Sequence, residues 1–465
     1  MAISNEKKVR DGFSSRWGFI LACIGSAVGM GNIWRFPVMV STYGGLTFLI
    51  PYIIFVILIA STGVIEEFAF GRFAAAGPFG AFGKAMEINA TNHNKNTTKY
   101  KKIGQGIGMI PVLGSMALAI GYTVVMAWIF KYMFLAITGD LYMMGHDMNA
   151  IGGTFGQTAS AWGANLWIVI TILVAFIIMS FGVSKGIEKA NKVMMPILFG
   201  LFVLLGIYVA TLKGAGAGYK YIFSINLPEF KSFSEMFGFW ARVIVYAFGQ
   251  AFFSLSVAGN GSVIYGSYLS KDENLKTSSK NVALFDTIAA LLAALVIIPS
   301  MATAGEGHLS SGGPGLMFIY LVNVMNGIPL GVVVEIIFFI AVTFAGLSSI
   351  INLYEAPIAF MQEELHLGRK LATGIILVVG GIVALCIQAI TSEWMDVISI
   401  YICPIGALLA AIMFFYVMDK KTALDAVNLG SDKPIGKWFY PVGKYLYCLL
   451  ALLALVFGAF FGGIG

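Results

Sequence analysis

The sequence predicts an all-α polytopic membrane protein with eleven transmembrane helices, and three observations support this fold class. The 465-residue chain is 58% hydrophobic and 11% charged, whereas soluble proteins average about 45–50% and about 25%. Its mean hydropathy is +0.86. The apolar runs are continuous, whereas the strands of a membrane β-barrel alternate apolar and polar residues. Composition therefore excludes a water-soluble fold.

Eleven stretches are long and apolar enough to cross a bilayer, which takes about 20 residues in a helix. The predicted helices cover residues 17–40, 46–71, 103–137, 164–182, 193–212, 239–268, 281–304, 332–362, 371–391, 396–418 and 445–462. We interpret a further apolar run at 315–325 as a helix within an outer loop.

Lysine and arginine predict the orientation, because cytoplasmic loops are enriched in both. With a cytoplasmic N-terminus, 23 of the 29 basic residues fall in the inner segments 1–16, 72–102, 183–192, 269–280, 363–370 and 419–444. The C-terminus is then extracellular. The net charge of +6 follows this topology, so we expect a lipid bilayer and no nucleic acid as the partner. Short termini and modest outer loops favour a plasma membrane, the bacterial inner membrane, and the protein is expected as a monomer or homodimer.

Two of the predicted helices are interrupted in mid-membrane. Gly25, Gly29 and Gly31 precede Asn32 in the first helix, and each glycine costs about 1 kcal/mol in a helix interior. In the sixth helix, "SLSVAGNGS" at 254–262 interrupts a long apolar run. Close helix packing through small residues is the alternative explanation. Broken helices five spans apart are typical of inverted-repeat transporters, in which bare carbonyls bind a cation and half-helix N-termini hold an anion.

This pattern divides the chain into two repeats with short flanking segments. The predicted divisions are a cytoplasmic N-terminus 1–16, a first five-helix repeat 17–212, a second and inverted five-helix repeat 239–418, a cytoplasmic loop 419–444, and an eleventh helix with the extracellular C-terminus 445–465.

Five motifs in order give the chain a resemblance to a known family. They are "GSAVGMGNIWRFP", "GGLTFLIPY", "GQAFFSLS", "YGSYLSKDENL" and "FAGLSS". The sequence resembles the neurotransmitter:sodium symporter family over its first ten helices. The resemblance implies the leucine-transporter fold and sodium-coupled symport of a small solute by alternating access. The chain differs from many members in ending after eleven helices instead of twelve.

The resemblance implies two sodium sites. The first would combine the substrate carboxylate with one carbonyl and three side chains, from Ala27, Asn32, Ser254 and Asp286. The second would use three carbonyls and two hydroxyls, from Gly25, Val28, Ala345, Ser348 and Ser349. Such oxygen ligands suit a hard cation. The alternative for the two hydroxyls is hydrogen bonding back to their own helix.

Asp286 is the most informative residue of the first site, because an intramembrane carboxylate is costly and indicates function. Chloride-dependent relatives carry a serine one turn later, where this chain has Ala290. They use chloride as the negative charge that Asp286 would supply here. We therefore expect no chloride requirement.

The resemblance also implies a substrate pocket for an amino acid. The contacts to the carboxylate would come from Met30, Gly31 and Tyr122, and those to the ammonium group from Ala27, Phe253, Ser254 and Ser256. The side chain would be enclosed by Leu118, Tyr122, Phe253, Gly259 and Leu353. Gly29 replaces the aspartate of monoamine-transporting relatives, which favours an amino acid over a monoamine.

Gly259 bears on the size of the substrate. It replaces a bulky aromatic residue of the leucine-transporting relative, which would leave room for a hydrophobic amino acid, including aromatic ones such as Tyr, Trp or Phe. The alternative is that Gly259 only relaxes the helix break.

Gates and a hinge are implied on both sides of the pocket. Arg35 and Asp396 would pair in the outer gate above the lid formed by Tyr122 and Phe253. The inner gate would pair Arg10 with Glu363, braced by Tyr268; the family more often has aspartate at the position of Glu363 and tryptophan at that of Phe13. Solvated interfacial charges are the alternative. Gly186 and Pro196, ten residues apart, predict a fifth helix that unwinds readily, because proline lacks an N–H and crowds the preceding turn.

The sequence thus predicts a sodium symporter for a hydrophobic amino acid, and not an enzyme. One alternative is a proton-coupled transporter of the same fold, which "FAGLSS" disfavours. Another is an amino-acid receptor or channel without stoichiometric coupling.

Overall fold

The computed structural model describes residues 12–257, 260–303, 305 and 313–461. Long helices make up most of this part of the chain. Their bounds are Arg16–Ala27, Gly31–Thr42, Leu46–Ala74, Pro78–Asn92, Thr97–Thr138, Met148–Ala159, Asn165–Met179, Val183–Ala210, Phe233–Ser254, Gly261–Gly266, Leu275–Thr303, Leu316–Asn326, Gly331–Glu364, Arg369–Val417, Lys420–Asn428 and Phe439–Phe460.

The helices confirm a polytopic membrane protein, although their count by length and composition differs from eleven. Within the described residues, eight helices are long and apolar enough to span a bilayer, or nine when the bent pair Arg16–Ala27 and Gly31–Thr42 is one span. Asn165–Met179 is 15 residues long and is not among them, because it is shorter than the roughly 20 residues that a spanning helix needs. The predicted helices 371–391 and 396–418 form one helical run, Arg369–Val417, because a turn of 3₁₀-helix at Gln388–Ile390 joins them.

The first predicted break is present in the structure. The helix ends at Ala27, Val28 has extended backbone angles (φ −75°, ψ 93°), and the chain resumes at Gly31 with a π-helical turn. The two halves differ in direction by 55°. We call this pair of halves the first broken helix.

The second predicted break is also present. Phe233–Ser254 ends at the motif, and Ser256 and Asn260 both have a φ of 56°, in the left-handed region that side chains rarely adopt. A short helix then covers Gly261–Gly266. We call these two halves the second broken helix.

Close backbone contacts hold the short half-helix Gly261–Gly266 against Leu46–Ala74. A Cβ on Gly71 would overlap the carbonyl oxygen of Val263, and a Cβ on Gly266 would lie 2.6 Å from the carbonyl oxygen of Phe68. Any larger residue would therefore push the half-helix away from its neighbour.

This contact predicts the effect of replacing Gly71. Gly71→Ala should destabilise the protein by about 1–3 kcal/mol through overpacking, seen as a lower thermal unfolding midpoint in detergent. Gly106→Ala is the matched control, because nothing lies within 4 Å of a Cβ there and alanine is the better helix former by about 1 kcal/mol. Equal midpoints for the two variants would contradict the proposed close contact.

Candidate functional site

Three buried polar side chains from three helices meet at the two breaks. Asn32 Nδ2 donates to Asp286 Oδ1 at 2.7 Å, and Ser254 Oγ donates to Asp286 Oδ2 at 2.7 Å. Ser254 Oγ also lies 3.3 Å from Asn32 Oδ1. We call Asn32, Ser254 and Asp286 the carboxylate cluster. The breaks bring these side chains together, because Asn32 follows one break and Ser254 directly precedes the other.

The carboxylate cluster has the chemistry of a cation site. Asp286 is fully buried, and no lysine, arginine or histidine of the described chain lies within 4.0 Å of its carboxylate. A buried charge without a partner is strongly unfavourable. The oxygens of an amide, a hydroxyl and a carboxylate are ligands that a hard cation prefers. These residues therefore fit the predicted first sodium site.

The residues predicted for the second sodium site also lie close together. A Cβ on Gly25 would lie 3.0 Å from Cβ of Ser348, and one on Gly29 would lie 2.6 Å from Oγ of Ser349. Both serine hydroxyls donate to the Ala345 carbonyl, at 2.9 and 3.1 Å. Hydrogen bonding to their own helix is the alternative that the sequence left open for these hydroxyls. The hydroxyl oxygens keep lone pairs in this arrangement, and these can still bind a cation. Val28 lies at the first break, between Gly25 and Gly29 in the chain.

A small cavity of about 30 Å³ adjoins the carboxylate cluster. Its lining comes from both broken helices and from Thr97–Thr138 and Gly331–Glu364, namely Ser26, Ala27, Gly29, Gly31, Asn32, Leu118, Tyr122, Phe253, Ser256, Gly261, Ser349, Asn352 and Leu353. Seven of the ten predicted substrate residues are among them. Met30 and Ser254 are buried but not part of the lining, and Gly259 lies outside the described residues. We call this space the central cavity.

Sequence reasoning missed two polar contributors to the central cavity. The side chain of Asn352 is 2% exposed, and its carboxamide oxygen has no hydrogen-bond partner in the described part of the chain. Ser26 Oγ donates to Ser256 Oγ at 3.1 Å, and Ser256 Oγ donates to the Ser26 carbonyl at 2.7 Å. An asparagine within the apolar run that follows "FAGLSS" was the available signal for Asn352.

A third missed residue lies beside the second predicted sodium site. Asn191 is fully buried and donates its Nδ2 to the Ile187 carbonyl at 2.9 Å. Its Oδ1 has no partner among the described residues and faces Gly25, where a Cβ would overlap it. Asn191 lies midway between Gly186 and Pro196.

A larger cavity of about 360 Å³ lies beyond the central cavity and contains the predicted outer gate. Its lining includes Arg35, Asp396, Tyr122 and Phe253. The guanidinium carbon of Arg35 lies 5.3 Å from the Phe253 ring centroid, a cation–π contact. Arg35 and Asp396 do not form an ion pair within 4.0 Å. Tyr122 and Phe253 line both cavities, and so they form the layer between them.

Two residues predicted for the inner gate, Tyr268 and Glu363, make contacts that the sequence did not predict. Tyr268 donates to Glu355 Oε1 at 2.7 Å, and Arg369 binds both oxygens of Glu355 at 2.6 and 2.7 Å. Glu363 accepts from the backbone N–H of Gly77 at 3.1 Å. Arg10 lies outside the described residues. We call Tyr268, Glu355 and Arg369 the arginine network; sequence reasoning found only its tyrosine, because Glu355 and Arg369 lie on different helices.

The helix that contains the predicted hinge does not begin as a regular α-helix. Gly186 lies in a π-helical turn, Val183–Glu188, and Pro196 lies inside the following helix. Glu188 accepts hydrogen bonds from the Ser14 backbone N–H at 2.6 Å and from the Ser15 hydroxyl at 2.8 Å. The start of this helix is therefore tied to the segment that precedes the first broken helix.

Apolar spanning helices, two of them broken beside a buried carboxylate and a small cavity, define a membrane transporter. The model of the sodium:neurotransmitter symporter family matches residues 10–150 and 154–427. The chain belongs to this family, whose members are transporters and not enzymes.

Comparison with individual proteins agrees with the family. The chain is 30% identical to an uncharacterized sodium-dependent transporter, YhdH of Bacillus subtilis, over 98% of this chain and 97% of the relative. A second such transporter, from Methanocaldococcus jannaschii, is 30% identical over 96% and 90% of the two chains. The crystal structure of MhsT in complex with L-phenylalanine is similar with a TM-score of 0.80 and 31% identity, over 96% of this chain and 99% of the other.

The arginine network predicts a large effect of neutralising Glu355. Glu355→Gln leaves Arg369 without its carboxylate, and breaking a buried ion pair costs about 3–5 kcal/mol. We expect a lower thermal midpoint in detergent. The control is Glu87→Gln, which removes an exposed pair with Lys101 worth at most about 1 kcal/mol. Similar midpoints for both variants would contradict a stabilising role of the network.

Proposed function

We propose that the protein is a sodium-coupled secondary symporter that takes up a hydrophobic L-amino acid, aromatic ones included, by alternating access. The observation that carries this proposal is the carboxylate cluster beside the central cavity. An uncompensated carboxylate next to a small cavity that both helix breaks line suits a site in which a cation and a zwitterion share contacts. Binding of each then improves binding of the other. Membership of a sodium symporter family and the similarity to a phenylalanine-bound transporter support the proposal.

We propose two sodium ions and no chloride. The first ion is assigned to the carboxylate cluster with the Ala27 carbonyl, and the second to the carbonyls and hydroxyls of Gly25, Val28, Ala345, Ser348 and Ser349. Two relatives are named sodium- and chloride-dependent, a GABA transporter of Drosophila melanogaster at 23% identity and a mouse amino acid transporter at 25%. Here Asp286 supplies a fixed negative charge. One turn later, where chloride-dependent relatives carry a serine, this chain has the buried, non-polar Ala290.

The proposed topology has eleven spans in two inverted five-helix repeats. Adding Asn165–Met179 and dividing Arg369–Val417 at its 3₁₀ turn raises the count from nine to eleven. A 49-residue helix would be about 74 Å long at 1.5 Å per residue, more than twice the hydrocarbon core of about 30 Å. The distribution of basic residues favours a cytoplasmic N-terminus in a bacterial plasma membrane.

The proposed transport cycle moves the access route from the larger cavity to the opposite side. Arg35 and Asp396 approach each other to close the larger cavity above Tyr122 and Phe253. The arginine network and the contacts of Glu188 open on the other side. Unwinding between Gly186 and Pro196 then admits water to the second sodium site, next to Asn191.

The polar lining of the central cavity indicates which side chains fit. An unpartnered buried acceptor costs about 1–3 kcal/mol, and the carboxamide oxygen of Asn352 is such an acceptor among Leu118, Phe253 and Leu353. A substrate whose apolar ring carries a donor would satisfy it. We therefore propose that tryptophan and tyrosine bind better than phenylalanine or leucine.

Uptake into proteoliposomes tests the coupling. Labelled L-phenylalanine should accumulate under an inward sodium gradient, and not with potassium, and replacing chloride by gluconate should leave the rate unchanged. Asp286→Asn should abolish sodium dependence, because the charge that binds the ion is removed, while the surface variant Glu87→Gln should behave as wild type. Uptake without sodium would contradict symport, and loss of uptake in gluconate would contradict chloride independence.

A competition panel tests the substrate. Tryptophan and tyrosine should compete with labelled phenylalanine at roughly tenfold lower concentration than leucine, which corresponds to about 1.4 kcal/mol. In Asn352→Leu, a volume-matched apolar variant, this advantage should disappear while phenylalanine binding persists. Preference for glycine or alanine over larger amino acids would overturn the assignment.

A further inference from the structure

Two adjacent carboxyl groups, Glu66 and Glu67, are fully buried in the helix Leu46–Ala74. Neither oxygen of Glu66 has a hydrogen-bond partner in the described chain, and neither has Oε2 of Glu67. No lysine, arginine or histidine of the described residues lies within 4.0 Å of either group. Two buried like charges without a cation are strongly unfavourable, so at least one of the pair must be neutralised.

The surroundings distinguish the two carboxyls. Glu67 Oε1 accepts a hydrogen bond from Asn260 Nδ2 at 3.0 Å. This donor favours the ionised form of Glu67 relative to that of Glu66. Glu66 has no donor, and burial alone favours its neutral form. Glu66 therefore carries a proton.

Two further buried oxygens border this pair. The Tyr447 hydroxyl, from Phe439–Phe460, is fully buried and unpartnered within the described chain, and it interacts electrostatically with both carboxyls. Asn260 Oδ1 is likewise buried and unpartnered. Cys448 interacts electrostatically with Glu66 and with Lys444.

The remaining neighbouring elements place no charge on the pair. Gly261–Gly266 contributes Tyr265, whose hydroxyl faces Glu355 and Tyr268 instead. Among the described residues, Pro78–Asn92, Leu275–Thr303, Arg369–Val417 and Lys420–Asn428 place no basic group within ion-pair distance.

We propose that Glu66 and Glu67 form a proton-binding site that reports the position of the second broken helix. In the described arrangement Glu66 holds one proton. When Gly261–Gly266 withdraws, Glu67 loses the hydrogen bond from Asn260, and water enters. The O–H bond of hydrated Glu66 then breaks, and the proton goes to water. Return of the half-helix reverses the step. The proton site stands on the geometry, whereas its link to sodium and substrate rests on the proposed function.

Infrared spectroscopy tests the site without any ligand. At neutral pH the wild-type spectrum minus that of Glu66→Gln should show the C=O stretch of a protonated carboxylic acid. A difference spectrum that shows only carboxylate bands, or a band that follows the sodium or potassium concentration, would overturn the proposal, because the pair would then be ionised and neutralised by a metal cation.

Calorimetry tests the coupling. L-phenylalanine is titrated into purified protein at saturating sodium in phosphate and in Tris, whose ionisation enthalpies differ, so the difference in heat gives the number of protons exchanged. Wild type should exchange a measurable fraction of one proton, and Glu66→Gln none, with phenylalanine binding retained. Equal heats in both buffers for wild type, or unchanged proton exchange in Glu66→Gln, would overturn the coupling. Absence of binding heat in wild type would count against the proposed substrate, and the infrared result would still decide the proton site.

Glu335→Gln is the matched control. Glu335 is also a fully buried carboxyl with both oxygens unpartnered in the described chain, but it has no acidic neighbour in the sequence. It lies near the start of Gly331–Glu364, whereas Asn352, later in the same helix, is the residue that borders Gly261. Its proton count should equal that of wild type. Loss of proton exchange in Glu335→Gln but not in Glu66→Gln would show that Glu335 exchanges the proton. That result would overturn the proposal.

Discussion

A carboxylate in the middle of an apolar bundle is the constraint on which the rest of this structure depends. Asp286 is fully buried, and its ligands within the described chain are an amide and a hydroxyl, which stabilise an anion but do not neutralise it. Such a group is stabilised when it binds a cation or a proton from outside the protein. The two helix breaks serve the same end, because peptide carbonyls freed from helical hydrogen bonds are the other oxygens that such a cation can bind.

The breaks also explain why the central cavity lies where it does. A continuous helix presents only side chains to its neighbours, whereas an interrupted one presents backbone N–H and C=O groups. Ala27 and Gly31 border the first break, and Ser256 and Gly261 border the second; all four line the central cavity. A zwitterion needs both donors and acceptors within a few ångströms, and two facing breaks provide them.

Sequence reasoning reached the breaks and the carboxylate cluster because their signals are local. Three glycines before Asn32 and a glycine–asparagine motif in an apolar run are costly unless the helix is interrupted there. The arginine network could not be found this way, because the pairing of Glu355 with Arg369 depends on how two helices pack. The same holds for Asn352 and Asn191, whose unpartnered oxygens become informative only when their neighbours are known. At Gln388–Ile390 the structure has a 3₁₀ turn between two predicted helices, and a count by length alone merges them into one run because the turn remains helical.

The polar groups of the bundle therefore fall into two kinds. Those at the arginine network have partners within the protein, and opening that network exposes a paired carboxylate and guanidinium that water can solvate. The Asp286 carboxylate lacks a cationic partner among the described residues, and Asn352 Oδ1 and both oxygens of Glu66 lack a hydrogen-bond partner there. Groups of the first kind hold one conformation together, because breaking them costs free energy that only solvation restores. Groups of the second kind need an added cation, substrate or proton, and a ligand that binds one conformation more tightly shifts the equilibrium toward it. A transporter requires both kinds of group, because its closed states must be stable and their stability must depend on the bound ion and substrate.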